Sequence, residues 1–545
     1  MSAATPQRLL HFTLGPVQGF VAQARRTRDL WAGSFLLSWL AGKAMAAVEA
    51  GGGTIVLPAV DGDPLLAAIR DRPGGYGPAI GSLPNRFKAR IPDDFDPLRC
   101  RDAIETAWQG LARAVWERFV APVAGHGRDT QEIWERQVAE FWDVAWVAGA
   151  DPGDRSDGGW LDRRKNWRTH RPPVEGGDHC TLMGDWQELS GYVRVREKSR
   201  QDTFWLELRA RLNNPLDLDE QGRERLCAMA LIKRLFLEVA AEADAIGWTP
   251  RSGDDGAALR WPSTADVAAA GGSPSPFYAL LLMDGDSVGA LLGDHPESKV
   301  AAALSRFAAG VAAVVQSAEG YLVYAGGDDL LALLPLERAL AAAISLRRAY
   351  VDAFQELKIP ATTSAALVFA HFHVPLRQVL GEARKQLDYV AKDGNGRDSL
   401  AVCVLSQSGV LRQWVSAWSP KEAPQPPPAL LNECAAALAG TVPGRFFYKV
   451  RETWGDIAPS ADAQSAATAL FTDEQLQRIL LAELLAGEKP DAARLAQAKA
   501  LVGKVMTLAR RWPGDKRVVS DRYDMDGPLL ARFLGQEQCP AEDTR

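Results

Sequence analysis

The stretches FYALLLMDGD (277–286) and YLVYAGGDDLLALLP (321–335) decide the fold. The first is a continuous apolar run ending on acids, the pattern of a central strand covered on both faces. The second is two apolar runs joined at Gly326 and Gly327, a hairpin signal because both residues tolerate positive φ. Working outward, 298–317 reads as an alanine-rich helix, 336–357 as a helix, 362–370 as a strand, 375–391 as a helix and 399–405 as a last strand. The order β-α-β-β-α-β-α-β is the ferredoxin-like order with one added unit, which is also the order of a polymerase or cyclase palm. In that topology the GGDD hairpin pairs beside the strand that ends in DGD. Asp284 and Asp286 then approach Asp328 and Asp329, with Asp284 expected to lie deeper and nearer the hairpin. Such a carboxylate cluster repels itself without a cation. Magnesium or manganese, hard ions that take oxygen ligands and bridge phosphates, suit it. AKDGNGR (391–397) adds Lys392 and Arg397, cations suited to a triphosphate. Alone, GGDD fits an ordinary acidic turn and Lys392 a solvated helix end; their joint placement on ordered strands carries the reading.

Composition narrows the remaining classes. The chain has 545 residues, with 62 basic against 68 acidic side chains and a net charge of −6. At about 150 residues per domain it holds three or four domains. No bulk positive field draws it to nucleic acid or an anionic membrane, so such binding must be local. The six cysteines form no CxxC pair, which argues against a disulfide framework and for a reducing, cytoplasmic setting. The N-terminus lacks the pattern of a signal peptide. The apolar run LWAGSFLLSWLAG (30–42) is shorter than the roughly 20 residues a bilayer requires, so it reads as a buried core helix. No membrane association is expected.

Upstream, LLHFTL (9–14) reads as a strand, GPVQGF as a loop, the stretch to about Val48 as a long helix and TIVLPAV (54–60) as a possible second strand. A glycine-rich loop, GGYGPAIGSLPNRF (74–87), follows, and FWDVAWVAGA (141–150) completes a first domain. The expected boundaries are 1–150 for a first palm-like domain with insertions, 151–270 for a helical connector, 271–408 for the second palm and 409–545 for a helical C-terminal domain. A proline-rich break, SPKEAPQPPP (419–428), lies early in the last. RRKNWRTHR (163–171) has the composition of a phosphate-contacting, base-stacking segment and equally of a solvated loop. Arg25, Arg26 and Arg28 either touch RNA or face solvent on a helix.

GPVQGFVAQARRTRDLWAGSFLLSWLAGKAM (15–45), SLPNRF (82–87) and YLVYAGGDDLLALLP (321–335) resemble one family, the large polymerase-cyclase subunit of type III CRISPR effector complexes, Cmr type. DGD, GGDD and AK…GR are also similar to the palm of GGDEF-type nucleotide cyclases. The resemblance implies an α+β fold with two ferredoxin-like palm domains, a helical connector and a C-terminal helical domain. It implies guide RNA, target RNA and other complex subunits as partners, and synthesis of cyclic oligoadenylate from ATP when target RNA pairs. Asp284, Asp328 and Asp329 would be the catalytic, metal-holding acids, and Gly326, Gly327, Asp286, Lys392 and Arg397 would bind the nucleotide. The first palm, without DxD or GGDD, would supply only a wall for the acceptor nucleotide.

The sequence departs from the family in two places. None of its seven histidines is followed by aspartate, so HD-type nuclease chemistry is not expected. HCTLMG (179–184) and LCAMA (226–230) carry Met183 and Ala230 where a zinc ribbon has its second cysteines, so structural zinc is not expected and Cys180 and Cys227 read as small buried side chains. Three other functions compete with the synthase reading. They are condensation of ATP with another adenosine acceptor such as S-adenosylmethionine, a non-catalytic nucleotide-binding scaffold, and a free-standing diguanylate cyclase, for which the long N-terminal region is a poor fit.

Overall fold

The computed structural model describes residues 7–149, 161, 174–212, 218, 223–251, 259, 261–272, 275–440, 442, 444–457, 472–514, 523 and 525–538. The basic segment at 163–171 lies outside the described residues. Backbone packing divides the chain into two compact units, Met1–Trp261 with His295–Ala308 and Val323–Gly327, and Pro262–Asp294 with Ala309–Leu322 and Asp328–Arg545.

In the first unit, the strands Gln7–Gly15, Thr54–Leu57, Arg86–Pro92 and Asp143–Gly149 form a four-stranded sheet. Numbered one to four along the chain, they lie in the order two-three-one-four, and every pairing is antiparallel. That is the ferredoxin-like order. The strand Arg86–Pro92 starts within the last two residues of the expected loop at 74–87 and runs beyond it, and it carries a clear period-two signal. Phe87, Ala89 and Ile91 are buried, while Arg86, Lys88 and Arg90 alternate with them. The helix Thr27–Ala50 contains the apolar run at 30–42 and is buried along nearly its whole length, as a core helix should be. Its polar residues are spent inside: Ser38 Oγ donates to Leu83 O at 2.9 Å and accepts from Leu83 N at 2.7 Å. Asn85 Nδ2 donates to Leu14 O at 2.8 Å. The SLPNRF motif thus ties the long helix to the first strand.

In the second unit, Phe277–Gly285 is the central strand. The six-stranded sheet runs, in order across it, Gly409–Ala417, Ser399–Ser406, Thr363–His371, Phe277–Gly285, Asp329–Pro335 and Tyr321–Gly326. Its last four strands again have ferredoxin-like order. Ser399–Ser406 adds in parallel beside Thr363–His371, and Phe277–Gly285 pairs antiparallel on both sides. Tyr278, Ala279, Leu280, Leu281 and Met283 are all buried, which explains why this strand reads as an unbroken apolar run rather than an alternating one.

Two elements of this unit depart from expectation. The helix after Pro375 is α-helical over Leu376–Lys385 and then widens to π-helix over Gln386–Gly394. The sheet also does not stop at Leu405: Gly409–Ala417 pairs antiparallel with Ser399–Ser406 through a turn at Gly409, whose φ is +115°. This edge strand leaves Val410 and Leu411 exposed and buries Trp414, so it lacks the alternation that would have announced it. Helices then follow at Pro427–Gly440, Gly444–Ile457, Asp473–Leu484, Ala492–Ala509 and Asp526–Gln538. Among the described residues one helix, Glu297–Ser317, is long and apolar enough to cross a membrane; Val300, Phe307, Val311 and Val315 along it are buried.

Candidate functional site

The strand Phe277–Gly285 delivers Asp284 at its end, and the Gly326–Gly327 turn delivers Asp328 and Asp329 beside it. Gly327 has φ +66°, a conformation that glycine adopts without a steric cost. Ligand oxygens of Asp284, Asp328 and Asp329 all lie within 4.8 Å of one another. Burial, followed by the charge of Asp329, pushes the Asp328 carboxyl up to about 7. Asp388, from the π-helical segment, is also pushed up, by burial, by Asp393 and in part by Asp329. This excess of negative charge is met from one side by Lys392, whose ammonium pairs with Asp284. Burial and the nearby Arg397 push Lys392 down to about 8. Three carboxylates with a common focus can hold one or two divalent cations, and the elevated Asp328 is what such a site shows before a cation offsets its repulsion.

Asp286 does not join this cluster. The strand ends at Gly285 and Ser287 takes φ +55°, so the chain turns and the period-two rule no longer puts positions 284 and 286 on one face. Asp286 is only 4% exposed. Its carboxylate accepts from Ser364 Oγ at 2.8 Å, Thr362 Oγ1 at 2.9 Å and Asp398 N at 2.9 Å. It ties the strand end to the turn that follows Arg397. Asp284, with a side chain 30% exposed, is therefore the shallower acid, opposite to expectation. Arg397 is exposed and has φ +68°. It stands near enough to lower Asp286 and Lys392 electrostatically.

Several residues here escaped the sequence reading. A Cβ on Gly285 would meet Tyr350 Oη at 2.5 Å and Asp328 Cβ at 2.8 Å, so the glycine inside DGD lets the hairpin acid close on the strand. A glycine within an apolar strand is the available signal for such an approach. Tyr350 is fully buried; burial, then Asp328, Asp286 and Asp329, pushes its phenol above the ordinary range. The second omission is remote in sequence. Asn395, buried, donates to Ser399 Oγ and to Trp512 O, each at 2.9 Å. Arg511 Nη2 donates to Gly394 O at 2.8 Å, and Gly514 N donates to Asn395 O at 2.7 Å. A Cβ on Gly514 would fall 1.8 Å from Arg397 O. The segment after the helix Ala492–Ala509 therefore clasps the turn that carries Lys392 and Arg397, and nothing local in RRWPG announces it.

Two measurable consequences follow from these contacts. Asn395→Ala removes the bonds to Ser399 Oγ and to the Trp512 carbonyl, which keeps its bond from Ala417 N at 2.8 Å, and loosens that turn, which should lower stability by about 1–2 kcal/mol and weaken nucleotide binding; thermal melts and ATP titration read the two effects. Asp328 gives the second. Its folded pKa of about 7 lies above its ordinary 3.8, so between those values the folded form holds a proton that the unfolded chain has lost. Its contribution to stability is full below about pH 4, falls as pH rises and is lost above 7. The metal-free protein should melt lower at pH 8 than at pH 5.5, a divalent cation should restore the loss, and Asp328→Asn should flatten the profile. An unchanged slope in Asp328→Asn would refute this assignment.

The two cysteines of HCTLMG and LCAMA belong to the first unit. Cys180 and Cys227 are buried and unoxidised, and their thiols hydrogen-bond. Burial raises Cys180, but hydrogen bonds from Cys227 and backbone amides bring it below the ordinary value, while burial and Cys180 push Cys227 well up.

Residues 277–401 match the family described as Cas10/Cmr2, second palm domain, and residues 9–113 match CRISPR-associated protein Cmr2, N-terminal. The CRISPR system Cmr subunit Cmr2 of Pyrococcus furiosus is 32% identical over 169 residues, which cover 25% of this chain and only 19% of that protein's length. The apo-state cryo-EM structure of type III-B Cmr-beta aligns with TM-score 0.62 at 12% identity, covering 98% of this chain and 82% of that one. Type III-B Cmr-beta bound to cognate target RNA aligns with TM-score 0.63 at 13% identity, covering 99% and 84%. At these identities the likeness is one of fold. The chain thus carries, in that order, segments similar to the Cmr2 N-terminal domain and to the Cas10/Cmr2 second palm, together with two sheets of ferredoxin-like order.

Proposed function

We propose that the chain is the large subunit of a type III-B CRISPR effector complex in the cytoplasm, with guide RNA, target RNA and the other Cmr subunits as partners, and that its second palm joins ATP molecules into cyclic oligoadenylate. The observation that carries this reading is the convergence of Asp284, Asp328 and Asp329 at one end of a palm-type sheet. In this reaction the 3′ hydroxyl of one nucleotide attacks the α-phosphorus of another and pyrophosphate leaves. Bound magnesium or manganese would lower the hydroxyl pKa and offset charge on the leaving phosphates.

The chain's own residues supply the rest. Asp284, Asp328 and Asp329 would hold the cations. Lys392, already charge-paired with Asp284, is within reach of the same focus and would turn to the triphosphate as the cations take over the acids. Gly326 and Gly327 keep the turn free of side chains where the nucleotide approaches, and Arg397 adds a second positive charge at the rim. Asp286 fixes the turn that presents Lys392 and Arg397. Neither structural zinc nor HD-type nuclease activity is part of this reading.

The test is to assemble the chain with guide RNA and its partner subunits, add labelled ATP, magnesium and matching target RNA, and identify products by mass. Cyclic products of AMP units support the reading. An adduct of adenylate with a different acceptor would transfer the palm to that acceptor, and absence of any condensation would leave a nucleotide-binding scaffold.

A further inference from the structure

The acids around the end of the central strand are held in different ways. Asp284 has Lys392 as its partner, and Asp286 is fixed by Ser364, Thr362 and the Asp398 N–H. Asp328 differs. Among the described residues, the hydrogen bond that its carboxyl receives comes from its own backbone N–H. Such a local contact does not set the direction of a carboxylate that has to face a cation. Carboxylates that ligate metals are themselves hydrogen-bonded from behind, and the outer partner fixes their orientation.

Tyr350 stands where that partner is needed. It lies near the C-terminal end of the helix Leu336–Gln355, which packs on the strands Thr363–His371, Phe277–Gly285 and Asp329–Pro335. Leu346, Ala353 and Phe354, its neighbours one turn away along the helix, are buried, and its ring packs on that of Phe354 with centroids 5.0 Å apart. Phenylalanine would fill such apolar surroundings as well, and a buried hydroxyl costs free energy unless it is bonded. The hydroxyl lies at the end of the ring that faces the acids. A Cβ on Gly285 would meet both Tyr350 Oη, at 2.5 Å, and Asp328 Cβ, at 2.8 Å, so the phenol oxygen and the hairpin acid flank the bare end of the strand. Burial and then Asp328, ahead of Asp286 and Asp329, raise the phenol, which puts Asp328 first among the charges that act on it.

We propose that Tyr350 is a positioning residue of the acidic cluster, its hydroxyl donating to the Asp328 carboxylate and holding one oxygen back so that the other faces the cation. A phenol stays a neutral donor throughout the working range, and its bond strengthens when the acceptor is charged. Gly285 has its use here as well, because a side chain at that point would part donor from acceptor. The inference rests on the reading of Asp284, Asp328 and Asp329 as cation ligands. It concerns cation binding, which is measured without the condensation reaction.

The test is Mn2+ binding to the full-length chain, followed at one pH through the electron paramagnetic resonance signal of free Mn2+, for wild type, Tyr350→Phe, Asp328→Ala and the double variant. Tyr350→Phe should weaken binding about tenfold or more and melt close to wild type, because the ring and its packing stay. In the Asp328→Ala background the same change should cost nothing further, since the group it acts through is gone. Equal affinity of Tyr350→Phe and wild type would overturn the inference. So would an equal loss in both backgrounds, which would show that the hydroxyl acts on the fold at large. A Tyr350→Phe chain that fails to fold would overturn it too, because that single oxygen would then be holding the core together. Condensation assays on the same preparations keep the two readings apart. A chain that binds Mn2+ through Tyr350 and Asp328 yet joins no nucleotides refutes the synthase reading alone. A wild-type chain that makes cyclic products while Tyr350→Phe binds Mn2+ as tightly refutes the positioning role alone.

Discussion

Replacing Asp328 and Asp329 together by alanine should abolish nucleotide condensation while leaving the fold and its assembly intact. The two acids sit at a hairpin tip, where Asp329 is exposed and Asp328 is half-buried. Their side chains supply two of the three carboxylates in the cluster, and cation stabilisation of developing charge is worth several kcal/mol. Losing the cation should slow the reaction by about a thousandfold or more. Stability should move the other way. Burial and mutual repulsion already push Asp328 up to about 7, so deleting the pair removes an unfavourable charge and should hold or raise the melting temperature at pH 8. The informative measurement is therefore activity and melting on one preparation. Condensation at the wild-type rate would sink the site assignment, and a lowered melting temperature would show that the acids serve the fold.

Legibility in the sequence tracks how local the cause of each feature was. The central strand was readable because burial on both faces leaves an unbroken apolar run. The hairpin was readable because Gly326 and Gly327 have few other uses between two such runs. Arg86–Pro92 was lost despite its alternation, since it follows directly on a glycine-rich loop and its outward face is basic. Gly409–Ala417 was lost for the opposite reason, being an edge strand whose apolar residues are partly exposed. The site divides in the same way. The approach of Asp284 to Asp328 and Asp329 follows from the two acidic motifs taken with the strand order. The role of Asp286 depended on where the strand ended, and a backbone turn at Ser287 is not written in a hydropathy pattern. The clasp of Asn395 by Trp512 and Gly514 joins segments more than a hundred residues apart, with no local signal at either end.

The two acids of DGD should respond to substitution in different ways. Asp284→Asn keeps the side-chain volume but removes a ligand from the acidic focus and the partner of Lys392. It should cost about a hundredfold or more in condensation with a near-normal melt, because the side chain is part-exposed and packs little. Asp286 works through hydrogen bonds. Truncation to alanine strands the Asp398 N–H and the hydroxyls of Thr362 and Ser364 in a buried site, and an unsatisfied buried donor costs about 1–3 kcal/mol. Asp286→Ala should therefore lower stability by about 3 kcal/mol and lose activity indirectly, through a displaced turn at Arg397. Asp286→Asn should be far milder. Its oxygen can take the place that faces Thr362 and Asp398, and its NH2 can face Ser364, whose hydroxyl is able to reverse and accept. Burial already raises the Asp286 carboxyl, so a neutral amide also relieves a desolvated charge. Melting and condensation rates of the three variants separate these roles. If Asp286→Asn lost as much activity as Asp284→Asn at full stability, Asp286 would have to be a direct ligand after all.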